Sequence, residues 1–317
     1  MALLKYILKK MLMLLPVLVG ISIVAFALGI MSPGDPVDQV LNPNGNESYT
    51  QAEYDAMAAK MGLDQPAVVQ YFNWVDGLAH GDLGRSFFTN KSVMNQLVKR
   101  IPISLKLAGF SMILTIVFGV GFGVLMAVKK DQLLDHVLGT FSTAALSVPG
   151  FWIAIVLIFL FAEQWKLLPS SGISGGSGFI LPAVTLALPS IGVCARLTRS
   201  AILDEIGRQY MTVADAKGMS RRHAVICHAF GNALIPIITY LGNHMAGIIG
   251  GASIVETIFA IPGIGSYAIA GVQSKDYYVV QAYVLFSGCI YVLTNILIDL
   301  IYIALDPKIR AGEAVES

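Results

Sequence analysis

The side chains with chemical capacity in this sequence sit mostly in apolar surroundings. Lys106, Asn243, His244, Glu256, Asn295 and Asp299 fall inside or at the ends of long hydrophobic runs. Polar groups at such places are costly, and they face a bundle interior or a wet cavity rather than lipid. His244 is the most informative of them. Tyr240, Gly247 and Gly251 share its helical face by their spacing, and a face of small residues is a close-packing face. A neutral imidazole there serves as a packing group or as a transient ligand for a cationic or chelated metal. Asn243 and Glu256 complete a set of candidate pathway residues. Lys106 and Asp299 lie near enough to helix ends to snorkel, and Asn295 reads as a contact between helices.

Catalysis finds less support. Twelve residues separate His244 from Glu256, roughly 18 Å along a single helix axis, which defeats direct cooperation. There is no Gly-x4-Gly-Lys-Ser/Thr phosphate cradle, and the glycine-rich stretch Gly172–Gly178 contains no lysine. His-Glu-x-x-His and Gly-x-Ser-x-Gly are absent too. The expectation is a chain that is not an enzyme and binds no cofactor itself. Cys194, Cys227 and Cys289 have no CxxC or Cys/His spacing. They read as free, packing thiols rather than a disulfide framework.

The elements that must position these groups are set by composition. Of 317 residues, 56% are hydrophobic and 13% charged, and the mean hydropathy is +0.70. Soluble domains carry roughly a quarter charged residues, so this is an integral membrane protein. The net charge of +1 argues against a nucleic-acid partner. Six apolar runs, about 11–30, 104–128, 137–162, 179–197, 232–255 and 279–304, are each long enough to cross about 30 Å of hydrocarbon. Ala25-Phe26-Ala27 resembles a signal-cleavage site, but the apolar character continues to Met31 and favours a retained helix. Six crossings put both termini inside. The excess of basic residues agrees, with Lys129, Lys130, Arg196, Arg199 and Arg208 among the inner ones, and only Lys166 and Lys275 in the short outer loops.

Within spans, Gly119/Gly123 and Gly247/Gly251 allow close helix approach. Pro149, Pro182 and Pro189 are candidate interruptions beside a pathway. Segment 33–100 is acidic, punctuated by Pro and Gly, with a helix expected from Thr50 to Met61; it should form a small external subdomain. Leu203 to Thr239 is the long polar interruption later in the chain, with Arg208, Lys217, Arg221 and Arg222 placing it in the cytoplasm. It reads as two short helices around Gly218, with Leu203–Lys217 as the first and Ser220 capping the second. Such a hairpin offers a rigid surface to another protein. The expected division is therefore 1–32, 33–103, 104–304 with the loop 203–231, and 305–317.

The run Ala214-Asp215-Ala216-Lys217-Gly218-Met219-Ser220, with His228 to Pro236 after it, resembles the coupling loop of ABC-importer permeases in the dipeptide/oligopeptide/nickel branch. Thr212 and Val213 stand where the general motif has Glu and Ala. Gly34-Asp35-Pro36, Gly62 to Pro66, Gln70-Tyr71, Gly81 to Gly84 and Asp306 to Arg310 are similar to the same branch. Gly242 to Met245 and Ile254 to Gly265 look closest to nickel-import permeases, which have a His at the position of His244.

The resemblance implies an all-α polytopic protein of six transmembrane helices, the type I ABC importer permease fold, in a prokaryotic cell membrane. It implies coupling contacts at Tyr210, Ala214, Asp215, Ala216, Lys217, Gly218, Met219 and Ser220. It implies a plug or docking loop, read as a tight turn, around Pro262, Gly263, Gly265 and Asp276. The implied partners are a second homologous permease, two ATP-binding subunits that use ATP and Mg, and an extracytoplasmic binding protein. The expected cargo is nickel or another chelated metal, with His244 as a transient contact, and short peptides are the alternative. A secondary transporter or channel working alone is the rival from another class, although no internal repeat is visible.

Overall fold

The computed structural model describes residues 2–31, 34–42, 45–173, 175–211, 223, 225 and 229–305. The tip of the expected hairpin, Ala214 to Ser220, lies outside them. The described residues form helices and turns, without a strand beyond one isolated bridge between Arg85 and Ser92. The helices are α1 (Ala2–Met31), α2 (Pro36–Leu41), α3 (Gln51–Met61), α4 (Ala67–Ala79), α5 (Val93–Leu114), α6 (Gly121–Val128), α7 (Leu133–Ser147), α8 (Gly150–Leu157), α9 (Ile180–Ile206), α10 (Phe230–Gly251), α11 (Ser253–Ile258), α12 (Ile264–Gln273) and α13 (Tyr277–Leu305). Single π-helical stretches, Thr115–Val120 and Ile158–Gln164, continue α5 and α8.

All six apolar runs are helical over most of their length. Among the described residues, Val93–Val128, Gly176–Ile206 and Tyr277–Tyr302 are long and apolar enough to cross a membrane, and α7 with α8 passes only as a pair bent by 102°, a broken span or a re-entrant loop. The bend falls at Pro149, as its ring requires: the residue before a proline is pushed out of the helical region, and Val148 is extended at φ −92°, ψ 127°. Pro182 and Pro189 do not interrupt. Pro182 lies in the first turn of α9, where its missing N–H would be unpaired anyway, and α9 continues through Pro189.

The chain divides into two compact units, residues 1–104 with 262–292 and residues 105–261 with 293–317. The second is built around α9, two-thirds of whose apolar stretch is buried against 6% for Tyr277–Tyr302. Gly positions let neighbours approach. A Cβ on Gly123 would lie 2.4 Å from the Thr198 Cβ, one on Gly119 2.7 Å from that of Cys194, and one on Gly192 2.5 Å from the Ser142 carbonyl oxygen. The first expected glycine pair therefore packs α6 and its π-turn on α9. Gly247 of the second pair is exposed, with open space where a Cβ would stand.

The first unit holds the polar subdomain. Thr50 caps α3 and exchanges hydrogen bonds with Glu53 in a capping box, and Gly62 closes the helix at φ 71°. Asp35 caps α2 by accepting from the Val37 amide at 2.8 Å and from the Tyr54 hydroxyl at 2.6 Å. Ser22 of α1 meets the Tyr71 hydroxyl at 2.9 Å, and Phe26 packs on the Tyr71 and Trp74 rings of α4 at 5.3 and 6.0 Å. Those contacts tie the membrane helix to the subdomain.

Candidate translocation wall and coupling base

The segment 259–278 differs from the expected tight turn. It is the ten-residue helix α12, with its turn residues confined to the ends. Gly263 is its N-cap, Gly265 is buried in its first turn and Pro262 is exposed. Arg100 Nη1 donates to the Gly263 carbonyl at 3.4 Å and its guanidinium covers the Tyr267 ring at 4.6 Å, while the Ile264 amide donates to Ser104 Oγ at 2.9 Å. Two non-glycine residues in left-handed backbone bracket the segment, Ala260 at φ 49° and Lys275 at φ 55°. Each closes a helix by the same paired bonds: Ile261 N to Glu256 O at 2.7 Å with Ala260 N to Thr257 O at 3.2 Å, and Asp276 N to Gly271 O at 2.8 Å with Lys275 N to Val272 O at 3.2 Å.

Asp276 is 2% exposed. Burial pushes its carboxyl above the usual aspartate range, opposed by the Ser86 hydroxyl, at 2.5 Å, and by the amides of Phe87, Val279 and Phe88. It fastens the turn after Gly84 to the start of α13, which makes it an internal tie rather than a free docking carboxylate.

His244 stacks on the Tyr240 ring, 5.6 Å between centroids at 4°, and its Nε2 is buried without a hydrogen-bond partner among the described residues. Tyr240 in turn donates to the Ser190 carbonyl at 3.2 Å. Asn243 is exposed and Glu256 fully buried. The chain turns at Ala252, so His244 and Glu256 occupy successive helices, α10 and α11, rather than one. No cluster of three His, Cys, Asp or Glu side chains accompanies His244 among the described residues.

A polar network orders the base of the polar segment 203–231. Tyr210 Oη donates to Glu205 Oε2 at 2.8 Å and accepts from Asn232 Nδ2 at 3.0 Å, and Arg208 pairs with Glu205 at 3.0 Å. Below it, Ile202, Val225, Ala229, Ala233 and Ile237 form one buried apolar cluster with Ala127. The two feet of the polar segment are thus held together by packing and by hydrogen bonds. The first foot is not one helix to Lys217: α9 ends at Ile206, and Gly207 starts a turn.

A third feature lies between α7 and α9. α9 runs nine residues past the end of its apolar run, so Arg199 as well as Arg196 lies on a helix. Arg199 is bound to Asp135 by two hydrogen bonds of 2.7 and 2.8 Å. Arg196 lines an open groove of about 690 Å³ against His136, Thr140, Thr143 and Ser147 of α7. Those four recur at i, i+4, i+7 and i+11, one face of a helix; that spacing was the available signal. The α7–α9 groove is therefore a polar wall with an exposed guanidinium on one side and a row of hydroxyls on the other.

Comparison with known proteins agrees with this architecture. Residues 119–311 match the family model described as binding-protein-dependent transport system inner membrane component, and residues 3–108 match its N-terminal companion. The chain is 36% identical over 313 residues to a probable peptide ABC transporter permease of Sinorhizobium fredii, covering 96% of this chain and 99% of that one. It is 34% identical to the dipeptide transport system permease DppB of Escherichia coli, covering 97% and 99%, and 32% identical to the probable D,D-dipeptide permease of the same organism, covering 93% and 94%. Among solved structures, one of the MetNI methionine ABC transporter in an inward-facing conformation shares the fold, with a TM-score of 0.58 and 18% identity over 67% of this chain and 97% of that one. Helical architecture, the apolar spans and full-length similarity converge on one assignment: the chain belongs to the binding-protein-dependent inner-membrane components, the permeases of ABC importers.

Proposed function

We propose that this chain is one permease subunit of an ABC importer of di- or short peptides. Full-length similarity to permeases named for peptides carries that reading. The expected metal cargo rested on the resemblance of Gly242 to Met245 and Ile254 to Gly265 to nickel permeases, and His244 has no cluster of companion ligands among the described residues. The protein is a transport subunit, and two partner subunits hydrolyse ATP with Mg for it. A second homologous permease completes the route, a binding protein delivers cargo outside, and both termini lie in the cytoplasm. The segment 203–231 transmits nucleotide-driven closure through Tyr210 and the residues Ala214 to Ser220. Pro262, Gly263 and Gly265 belong to the outer gate, with Asp276 fixing its frame, and Asn243, His244 and Glu256 belong to the pathway region.

The test is uptake by the complete transporter in vesicles, offered labelled alanyl-alanine or labelled nickel ions. Peptide uptake that unlabelled peptides compete away is the expected result. Nickel uptake without peptide uptake reverses the assignment.

A further inference from the structure

The α7–α9 groove carries more than a passive wall needs. Arg196 is exposed into it, ten residues before α9 ends at Ile206. Arg199 is committed to Asp135, whereas Arg196 has no ion-pair partner among the described residues. With Asp135 neutralised, the uncompensated charge facing the groove is positive. The opposite wall is a row of hydroxyls. Thr143 donates its proton to the Gly139 carbonyl at 3.0 Å and Ser147 donates to the Thr143 carbonyl at 2.9 Å, so their oxygens remain as acceptors.

An anion at one end and N–H donors along its length is the complementary ligand. A phospholipid phosphate supplies the anion without amides along its length. Thr143 and Ser147 stand one helical turn apart, about 6 Å, within the reach of a dipeptide backbone. A short peptide has both parts: a C-terminal carboxylate that a guanidinium grips in a bidentate pair, and an ammonium and amides for the hydroxyl oxygens.

We propose that Arg196 is the cargo-carboxylate contact of this subunit, with Thr143 and Ser147 accepting from the peptide N–H groups. This rests on the peptide reading above. The experiment reconstitutes the complete transporter with its binding protein and measures uptake of alanyl-alanine and of its C-terminal amide. Arg196→Gln should lower acid uptake at least tenfold and amide uptake less than twofold, while Arg196→Lys, which keeps the charge but not the bidentate fork, should lose less acid uptake than Arg196→Gln. Thr143→Asp, placing a like charge on the opposite wall, should lower the acid-to-amide ratio as well. It decides the matter if Arg196→Gln does not assemble.

Undiminished acid uptake in an assembled Arg196→Gln complex overturns the contact, and so does an equal loss of acid and amide. An equal loss that depends on anionic lipid in the vesicle assigns the groove to a headgroup, which also overturns it. A wild-type complex that carries neither peptide overturns the peptide reading and this inference together; wild-type peptide uptake with an indifferent Arg196 overturns the inference alone.

Discussion

Asp276 shows how burial turns one carboxylate into a pH-dependent fastener. Its folded-state value lies above the ordinary one, so the folded protein holds the proton more tightly than the unfolded chain. Stability at this junction therefore falls as pH rises from the ordinary carboxylate value through the raised one, and is recovered on acidification. Hydrogen exchange at α12 and the start of α13 should slow as pH is lowered across that window, after correction for intrinsic rates. Asp276→Asn should remove the dependence; a variant with unaltered pH behaviour contradicts the assignment. Ala260 makes a second residue-scale prediction. Its left-handed backbone costs an L side chain about 1 kcal/mol, so Ala260→Gly should stabilise by up to that amount in thermal unfolding of the purified chain, and a loss of stability contradicts it. Neither role was legible beforehand. Asp276 stood out only as a charge before the last apolar run, and nothing in Phe259-Ala260-Ile261 announces a positive φ. Arg199 lies beyond the apolar run yet on a helix, because hydropathy marks where hydrocarbon ends, not where a helix does.

At the level of elements, local chemistry was readable and partner choice was not. Thr50, Glu53 and Gly62 spelled out α3 from cap to stop, because those signals act within a few residues. Thr50→Ala should destabilise α3 by about 1 kcal/mol, seen as faster amide exchange confined to the subdomain; unchanged exchange contradicts it. The Glu53 carboxyl is held below its ordinary range by the Thr50 backbone and side chain. Its contribution is present above the ordinary glutamate value and lost as pH falls through the lowered one. Between the two glycine pairs the sequence offered no distinction. Gly123 faces Thr198 and the Ala195 carbonyl, whereas Gly247 faces open space. Gly123→Leu should abolish α6–α9 packing and with it the folded yield of the purified chain, while Gly247→Ala should leave that yield within a factor of two. Equal tolerance at both sites contradicts the packing described here. The segment around α12 was read as a turn because its Pro and Gly residues are conspicuous; they are the ends of a helix whose interior is unremarkable in composition.

For the whole molecule, six apolar runs were enough to anticipate a helical membrane protein, the resemblance at Ala214 to Ser220 pointed to the permease family, and similarity along the full length supports it. Cargo was not legible, since a single His in a span fits a packing group as well as a ligand. The base of segment 203–231 is tied through Tyr210, Glu205 and Asn232 to the ends of α9 and α10, the ties through which the proposed coupling would act. Gly218→Val at the expected contact should cut nucleotide-dependent uptake at least tenfold while complex assembly persists; full uptake would remove the coupling role. The most direct measurement compares two sets of sealed vesicles holding labelled dipeptide gradients. One contains this chain alone; the other adds its permease partner, the ATPase subunits and the binding protein. The account predicts accumulation against the gradient only in the second set and only with ATP and Mg. Uphill accumulation by the chain alone would contradict it.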